Sequence, residues 1–269
     1  MPDGFTRDVA ASSRQQPRIA WLRPGWGLAI AVWIIYTVGM AGAWMATDNA
    51  YEQSVEVNKD MWWVTLVLVI LMWALVWLSG MRVQHSWRLG WLSLVLVVPV
   101  GLSLLGAGLA FAGQGTDWAT VVFMLGATLL VGVGEETAFR GLVLNSLAGR
   151  IPVVAAVIVS GVLFGLMHSV NAMLQPFGST VWQVIVTSMI GIVFGFVYVS
   201  SGGNLVLCIV LHWLYDFSLM APQATEYGQN PIGLIGLLMV VGFLIAVPVG
   251  IVRYRDVKRW PTPAAPAAG

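Results

Sequence analysis

The 269-residue chain is 58% hydrophobic and 9% charged, with a net charge of +1. A soluble domain carries about 25% charged residues, so this composition cannot cover a globular surface in water; a bilayer is the solvent that suits it. No basic run lies beside interleaved aromatics, which excludes nucleic acid as a partner. The single cysteine, Cys208, excludes an intrachain disulfide framework.

Residues 1–24 form a polar, basic segment with Arg7, Arg14, Arg18 and Arg23. The apolar run after it is longer than the core of a secretory signal and reads as a first membrane helix. A spanning helix needs roughly 20 mostly apolar residues. Runs of that kind lie near 25–46, 61–80, 91–113, 119–147, 152–170, 181–200, 204–221 and 232–252. They predict an all-α, polytopic transmembrane helical bundle of about eight helices. Because 81–118 admits other divisions, the count carries a margin of about one helix. The membrane domain covers 25–252, with a candidate catalytic core over 119–221, and the 253–269 tail is basic and then Pro/Ala-rich. Such a tail cannot build a core.

Lys and Arg set the expected orientation. Arg23, Arg82, Arg88, Arg150, Arg253, Arg255, Lys258 and Arg259 join the N-terminal arginines on one side, which the positive-inside rule makes cytoplasmic, both termini included. The opposite loops carry Asp48, Glu52, Glu56, Asp60, Asp117 and Glu226, with Lys59 alone among them. Trp21, Trp26, Trp62, Trp63, Trp91 and Trp118 stand at expected helix starts, where amphipathic rings prefer the headgroup layer. The spacings Gly161 to Gly165 and Gly191 to Gly195 suit close helix packing.

Charge within a membrane helix costs at least ~2.5–3.5 kcal/mol near the centre, so each instance requires a reason. Glu135, Glu136, Arg140, Asp216 and, at a margin, Arg150 are the instances, joined by His168 and His212. The remaining histidine, His85, reads as a solvated residue of a basic loop. Glu136 and Arg140 are four apart, the spacing of a facing pair, and are expected to neutralise each other and brace their helix. Glu135 is left without a local cation and points about 100° away, toward a different neighbour.

His212 and Asp216 share one helix face in His-Trp-Leu-Tyr-Asp, and Cys208 lies one turn behind them. Helical rise puts His212 roughly 12 Å from Asn204 and Asp216 roughly 18 Å. By the same measure Glu135 lies roughly 22 Å from Arg150, and His168 roughly 25 Å from Ile151. The four fit one layer to within a turn or two, as a shared cavity requires.

These residue types suit hydrolysis. A carboxylate and an imidazole take a proton from water, free or metal-bound, and a second polar pair steadies an oxyanion. A thiol route through Cys208 is disfavoured, because a cysteine among Leu and Ile is more often inert filler. Two other classes stay open: a transporter or proton relay, since the same residues build ion pathways, and a non-catalytic immunity or scaffold protein.

Glu135-Glu136-Thr-Ala-Phe139-Arg140-Gly141, then Phe164-x-x-x-His168, then His212-x-x-x-Asp216 resembles the CPBP family of intramembrane proteases. That family includes the eukaryotic CAAX prenyl endopeptidases and bacterial Abi proteins. The resemblance implies a membrane-embedded endopeptidase, a hydrolase acting on peptide or protein substrates at the lipid bilayer, with its site open toward the cytoplasm. Glu135 would activate water with His168, His212 and Asp216 would hold the oxyanion or a metal, and Glu136 and Arg140 would support them. Both a metallopeptidase route, with zinc on His168, His212 and Asp216, and a metal-free glutamate route are argued for the family. The prenyl endopeptidases carry asparagine where this chain has Asp216. Asp216 thus reads either as a metal ligand or as a protonated donor standing in for that amide.

Overall fold

The computed structural model describes residues 21–81, 88–113, 115–225 and 232–258, without the side chains of 232–237. The expectations for residues 1–20, for Arg82 and His85, for Glu226 and for the tail from 259 lie outside the described residues. Helices α1 (Trp26–Trp44) and α2 (Ser54–Leu78) come first. A short turn, Trp91–Ser93, leads into α3 (Leu94–Phe111). Helix α4 covers Trp118–Ala148, and α5 (Val153–Met167) runs on through a tighter turn, His168–Met173. Then come α6 (Phe177–Ser200), α7 (Leu205–Met220) with its turn Ala221–Ala224, and α8 (Ile232–Tyr254).

Each expected run is a helix, and no strand occurs among the described residues. Seven helices there are long and apolar enough to cross a bilayer, and α8 is apolar from Leu238 onward. The chain is an all-helical, multi-pass membrane bundle. Trp62, Leu66, Val67, Ile70, Trp73 and Trp77 leave one flank of α2 exposed. In lipid, exposing such a flank costs nothing, because acyl chains are as apolar as leucine.

Two boundaries depart from the sequence reading. Helix α2 begins at Ser54 rather than 61, so Glu56, Lys59 and Asp60 ride on its first turns. Glu56 favours the positive end of the helix dipole. Asp60 accepts hydrogen bonds from Thr47 at 2.6 Å and Asn49 at 2.9 Å. Helix α6 starts at Phe177, directly after Pro176. Proline drives the residue before it out of helical geometry and so marks the start.

Hydrogen bonds knit the two ends of the bundle. At the basic end, Arg150 Nη2 donates to the Pro24 carbonyl at 3.1 Å, the Leu22 amide reaches Leu78, and the Val153 amide reaches Val257. At the acidic end, the Asp117 amide donates to the Ala224 carbonyl at 2.9 Å, and Gln223 Nε2 to the Glu52 carbonyl at 2.8 Å. Asp117 caps α4, its Oδ1 accepting from the Ala119 and Thr120 amides. The Thr120 hydroxyl, donating to Oδ2 at 2.6 Å, and then those amides hold its carboxyl below the ordinary carboxylate range.

The two glycine spacings do what was expected. Gly161 of α5 and Gly191 of α6 meet so closely that a Cβ on Gly161 would stand 2.6 Å from the Ile192 amide nitrogen. No larger residue fits there without moving a backbone. The approach also brings the Gly191 carbonyl within reach of a side chain on α4.

Helix α4 changes pitch where that side chain emerges. Thr137–Leu144 is π-helical, between Glu136 and a last α-turn, Asn145–Ala148. Such turns are rare and short, and here side chains add hydrogen bonds to its carbonyls. Asn145 Nδ2 lies 3.1 Å from both the Arg140 and Gly141 carbonyls and 2.8 Å from the Tyr198 hydroxyl. Ser160 donates to the Phe139 carbonyl at 2.9 Å. Every residue from Gly134 to Ala148 is buried.

Candidate active site

Glu135 and Glu136 end the regular part of α4, and His212 and Asp216 project from α7 beside them. Arg140, 1% exposed, donates through Nη1 to Glu136 Oε1 at 2.9 Å and through Nη2 to the Gly191 carbonyl at 3.0 Å. Its guanidinium carbon lies 4.8 Å from the Phe164 ring centroid and 5.1 Å from that of Phe194. The two terminal nitrogens thus meet one carboxylate and one carbonyl, Nε is buried without a hydrogen-bond partner among the described residues, and two aromatic faces hold the group out of water. Breaking a buried pair of this kind costs about 3–5 kcal/mol, since one charge is left unpaired.

The Glu136 oxygen that takes Arg140 also takes His212, whose Nδ1 lies 2.7 Å away. An ionised carboxylate only accepts, so Nδ1 carries the proton. This bond orients the ring and turns Nε2 toward Asp216 Oδ2 at 3.4 Å and Glu135 Oε2 at 3.7 Å. Here the sequence reading is corrected. Glu135 does not turn to a neighbour of its own; the two glutamates flank one imidazole at its opposite nitrogens. Side chains of this length, reaching across to α7, close the 100° between their Cα positions.

His168 stands apart from this contact set. Its Nδ1 lies 3.0 Å from the Phe164 carbonyl, which accepts, so Nε2 is left with its lone pair. The Phe164 ring sits edge-on to both imidazoles, with centroids 5.0 Å from His168 and 6.0 Å from His212. One phenylalanine therefore serves three partners: a carbonyl for His168, a face for Arg140 and an edge for His212. Sequence spacing signalled the phenylalanine and said nothing of these contacts.

Cys208 is fully buried, its Sγ turned to the Phe194 carbonyl at 3.9 Å. It is filler. The hydroxyl of Tyr36, buried beside Gly134, has no hydrogen-bond partner among the described residues, and the sequence offers no signal for it.

For zinc, the expected set was His168, His212 and Asp216. Among the described residues no three His, Cys, Asp or Glu side chains form a group suited to a metal ion. The Phe164 edge against both imidazoles accounts for the separation of His168 from the other two. As placed, the three do not make a tetrahedral site.

Residues 116–218, the segment that carries Glu135, Glu136, Arg140, His168, His212 and Asp216, match a family described as type II CAAX prenyl endopeptidase Rce1-like. No curated protein matches the chain. No solved structure matches it either. The match covers 103 of the chain's 269 residues and contains the three motifs.

Proposed function

We propose that the chain is a membrane-embedded endopeptidase in which Glu135 activates water. The observation that carries this reading is the contrast between the two glutamates. Glu136, 0% exposed, is committed through Oε1 to Arg140 and His212 and keeps Oε2 buried without a hydrogen-bond partner, while Glu135, 5% exposed, makes no hydrogen bond among the described residues and approaches His212 only to 3.7 Å. A base must have a free lone pair, and Glu135 has one.

Charge arithmetic assigns the other roles. Three carboxyl groups, one guanidinium and one imidazole share a buried site. With Glu136 ionised and Arg140 and His212 as cations, the site is neutral when either Glu135 or Asp216 holds one proton, and a base at Glu135 puts that proton on Asp216. A neutral cluster carries the least desolvation cost. In that state His212 Nε2 and the Asp216 hydroxyl are two donors side by side, a pair suited to a developing oxyanion.

Water then sits against Glu135, its second hydrogen accepted by His168 Nε2. Glu135 takes one proton as the oxygen adds to the scissile carbonyl. The carbonyl oxygen becomes an anion on His212 and Asp216. Collapse of the adduct breaks the C–N bond, and Glu135 returns its proton to the leaving amine. Phe139, Phe164 and Phe194 keep bulk water from the charges, which strengthens each interaction.

A transporter built for ion flux is expected to unwind its helices at mid-membrane. Helix α4 instead stays hydrogen-bonded through its π turn, which supports the peptidase reading. The test is purified protein in detergent against a library of peptides, native beside Glu135→Ala, read by mass spectrometry. Discrete cleavage lost in the variant supports the reading; no cleavage by the native protein overturns it.

A further inference from the structure

The site described so far is built by α4, α5 and α7, yet one polar group of α1 is buried against it. Tyr36 lies in the middle of α1 and is 0% exposed. Helix α1 packs on the π turn of α4, where the Tyr36 ring meets Phe139 edge-on, with centroids 6.1 Å apart. Packing thus holds the ring, and its hydroxyl is carried to the backbone of α4 just before the first glutamate. Gly134 makes room for it there: a Cβ on that residue would stand 2.7 Å from the hydroxyl oxygen. Consecutive Cα atoms stand about 3.8 Å apart, so the hydroxyl meets α4 one residue from Glu135.

A buried tyrosine hydroxyl ordinarily has a hydrogen-bond partner, because burial without one forfeits its solvation. The Tyr36 hydroxyl has none among the described residues. Packing alone does not call for it, since phenylalanine fills the same space and strands no donor. Three carboxyl groups act on it electrostatically, Glu135 foremost, then Glu136 and Asp216. Glu136 already accepts from Arg140 and His212 through Oε1, and Asp216 Oδ2 lies 3.4 Å from His212 Nε2. Glu135 has the longest approach of the three, 3.7 Å to His212. A buried carboxylate that is to act as a base needs a donor to hold its ionised form. With one oxygen so held, the other still has lone pairs for the proton of water.

We propose that Tyr36 is a positioning residue for the base: its hydroxyl donates to the Glu135 carboxylate, fixes which oxygen faces the water and steadies the ionised form. Tyr36 belongs to α1, outside the 116–218 segment that matches the family. The assignment deepens the peptidase reading and rests on it.

Tyr36→Phe keeps the ring against Phe139 and removes only the hydroxyl. The test uses the full chain in detergent and a peptide that the native protein cleaves. In the variant kcat should fall about 10–100-fold, the worth of a hydrogen bond to a charged group, with KM held within about twofold. A second readout needs no activity. In protein isotopically labelled at tyrosine Cζ, the NMR signal missing from Tyr36→Phe should shift in Glu135→Ala. It should hold in Asp216→Asn, whose carboxyl acts on the same hydroxyl. A third is coupling: Gly134→Ala displaces the hydroxyl and should lower kcat in the native background, yet add little in Tyr36→Phe.

Native-like kcat in Tyr36→Phe, or a loss carried by KM alone, overturns the assignment and leaves the peptidase reading standing. So does a Cζ signal that ignores Glu135→Ala or moves equally in both carboxyl variants, and so do fully additive losses at Gly134 and Tyr36. No cleavage by the native protein removes the peptidase reading, and the Cζ signal then decides by itself whether Tyr36 serves Glu135.

Discussion

Glu136 holds His212 by its Nδ1 at 2.7 Å, through the same oxygen that Arg140 neutralises. The glutamate therefore fixes the tautomer of His212 and leaves its Nε2 toward Asp216 and Glu135. Anchors of this kind behind an imidazole have large effects on function without touching substrate.

Removing the cation should expose that dependence. Arg140→Ala leaves Glu136 without its ion pair in a dry site, and stability should fall by about 3–5 kcal/mol. Arg140→Lys should rescue only part of it, since an ammonium lacks the fork that joins Glu136 to the Gly191 carbonyl. Thermal unfolding of both variants in detergent checks this, and native-like melting of Arg140→Ala would show that Glu136 does not rely on its partner.

The α5–α6 contact sets a second dependence. Gly161→Ala places a methyl 2.6 Å from the Ile192 amide nitrogen and 2.5 Å from its side chain. Overpacking of this sort costs about 1–3 kcal/mol. Because α6 also presents Gly191 to Arg140, activity should fall along with melting temperature. Gly178→Ala on the same helix meets no atom within 4 Å and should change neither.

Asp216→Asn separates two roles. If Asp216 donates as a protonated acid, an amide donor can replace it, and the variant stays active. Its rate should also decline less as pH rises, since an amide has no proton to lose. A pH–rate profile of native and variant checks this, with elemental analysis as the control. Stoichiometric zinc in the native protein, lost together with activity in the variant, would make Asp216 a ligand instead.

Much of the fold was legible because the chain's apolar runs are long and its charges few. The Glu136–Arg140 pair and the shared face of His212 and Asp216 followed from spacing on a single helix. What was hidden required two helices at once. The convergence of Glu135 and Glu136 on His212 depends on how α4 and α7 dock, and the Phe164 ring between the histidines depends on α5. The start of α2 was missed because its first turns are charged, and hydropathy cannot see a helix that extends past the hydrocarbon. The π turn left no local mark, being supported by Asn145 and Ser160 from outside the segment.

Glu135→Gln is the most direct measurement. The amide keeps the size of the side chain and removes the base, so peptide cleavage by the purified variant should drop ~10²–10⁴-fold. Its melting temperature should stay close to native, because Glu135 has no ion pair to lose comparable to that of Glu136. A variant that still cleaves at more than about a tenth of the native rate would contradict Glu135 as the group that activates water.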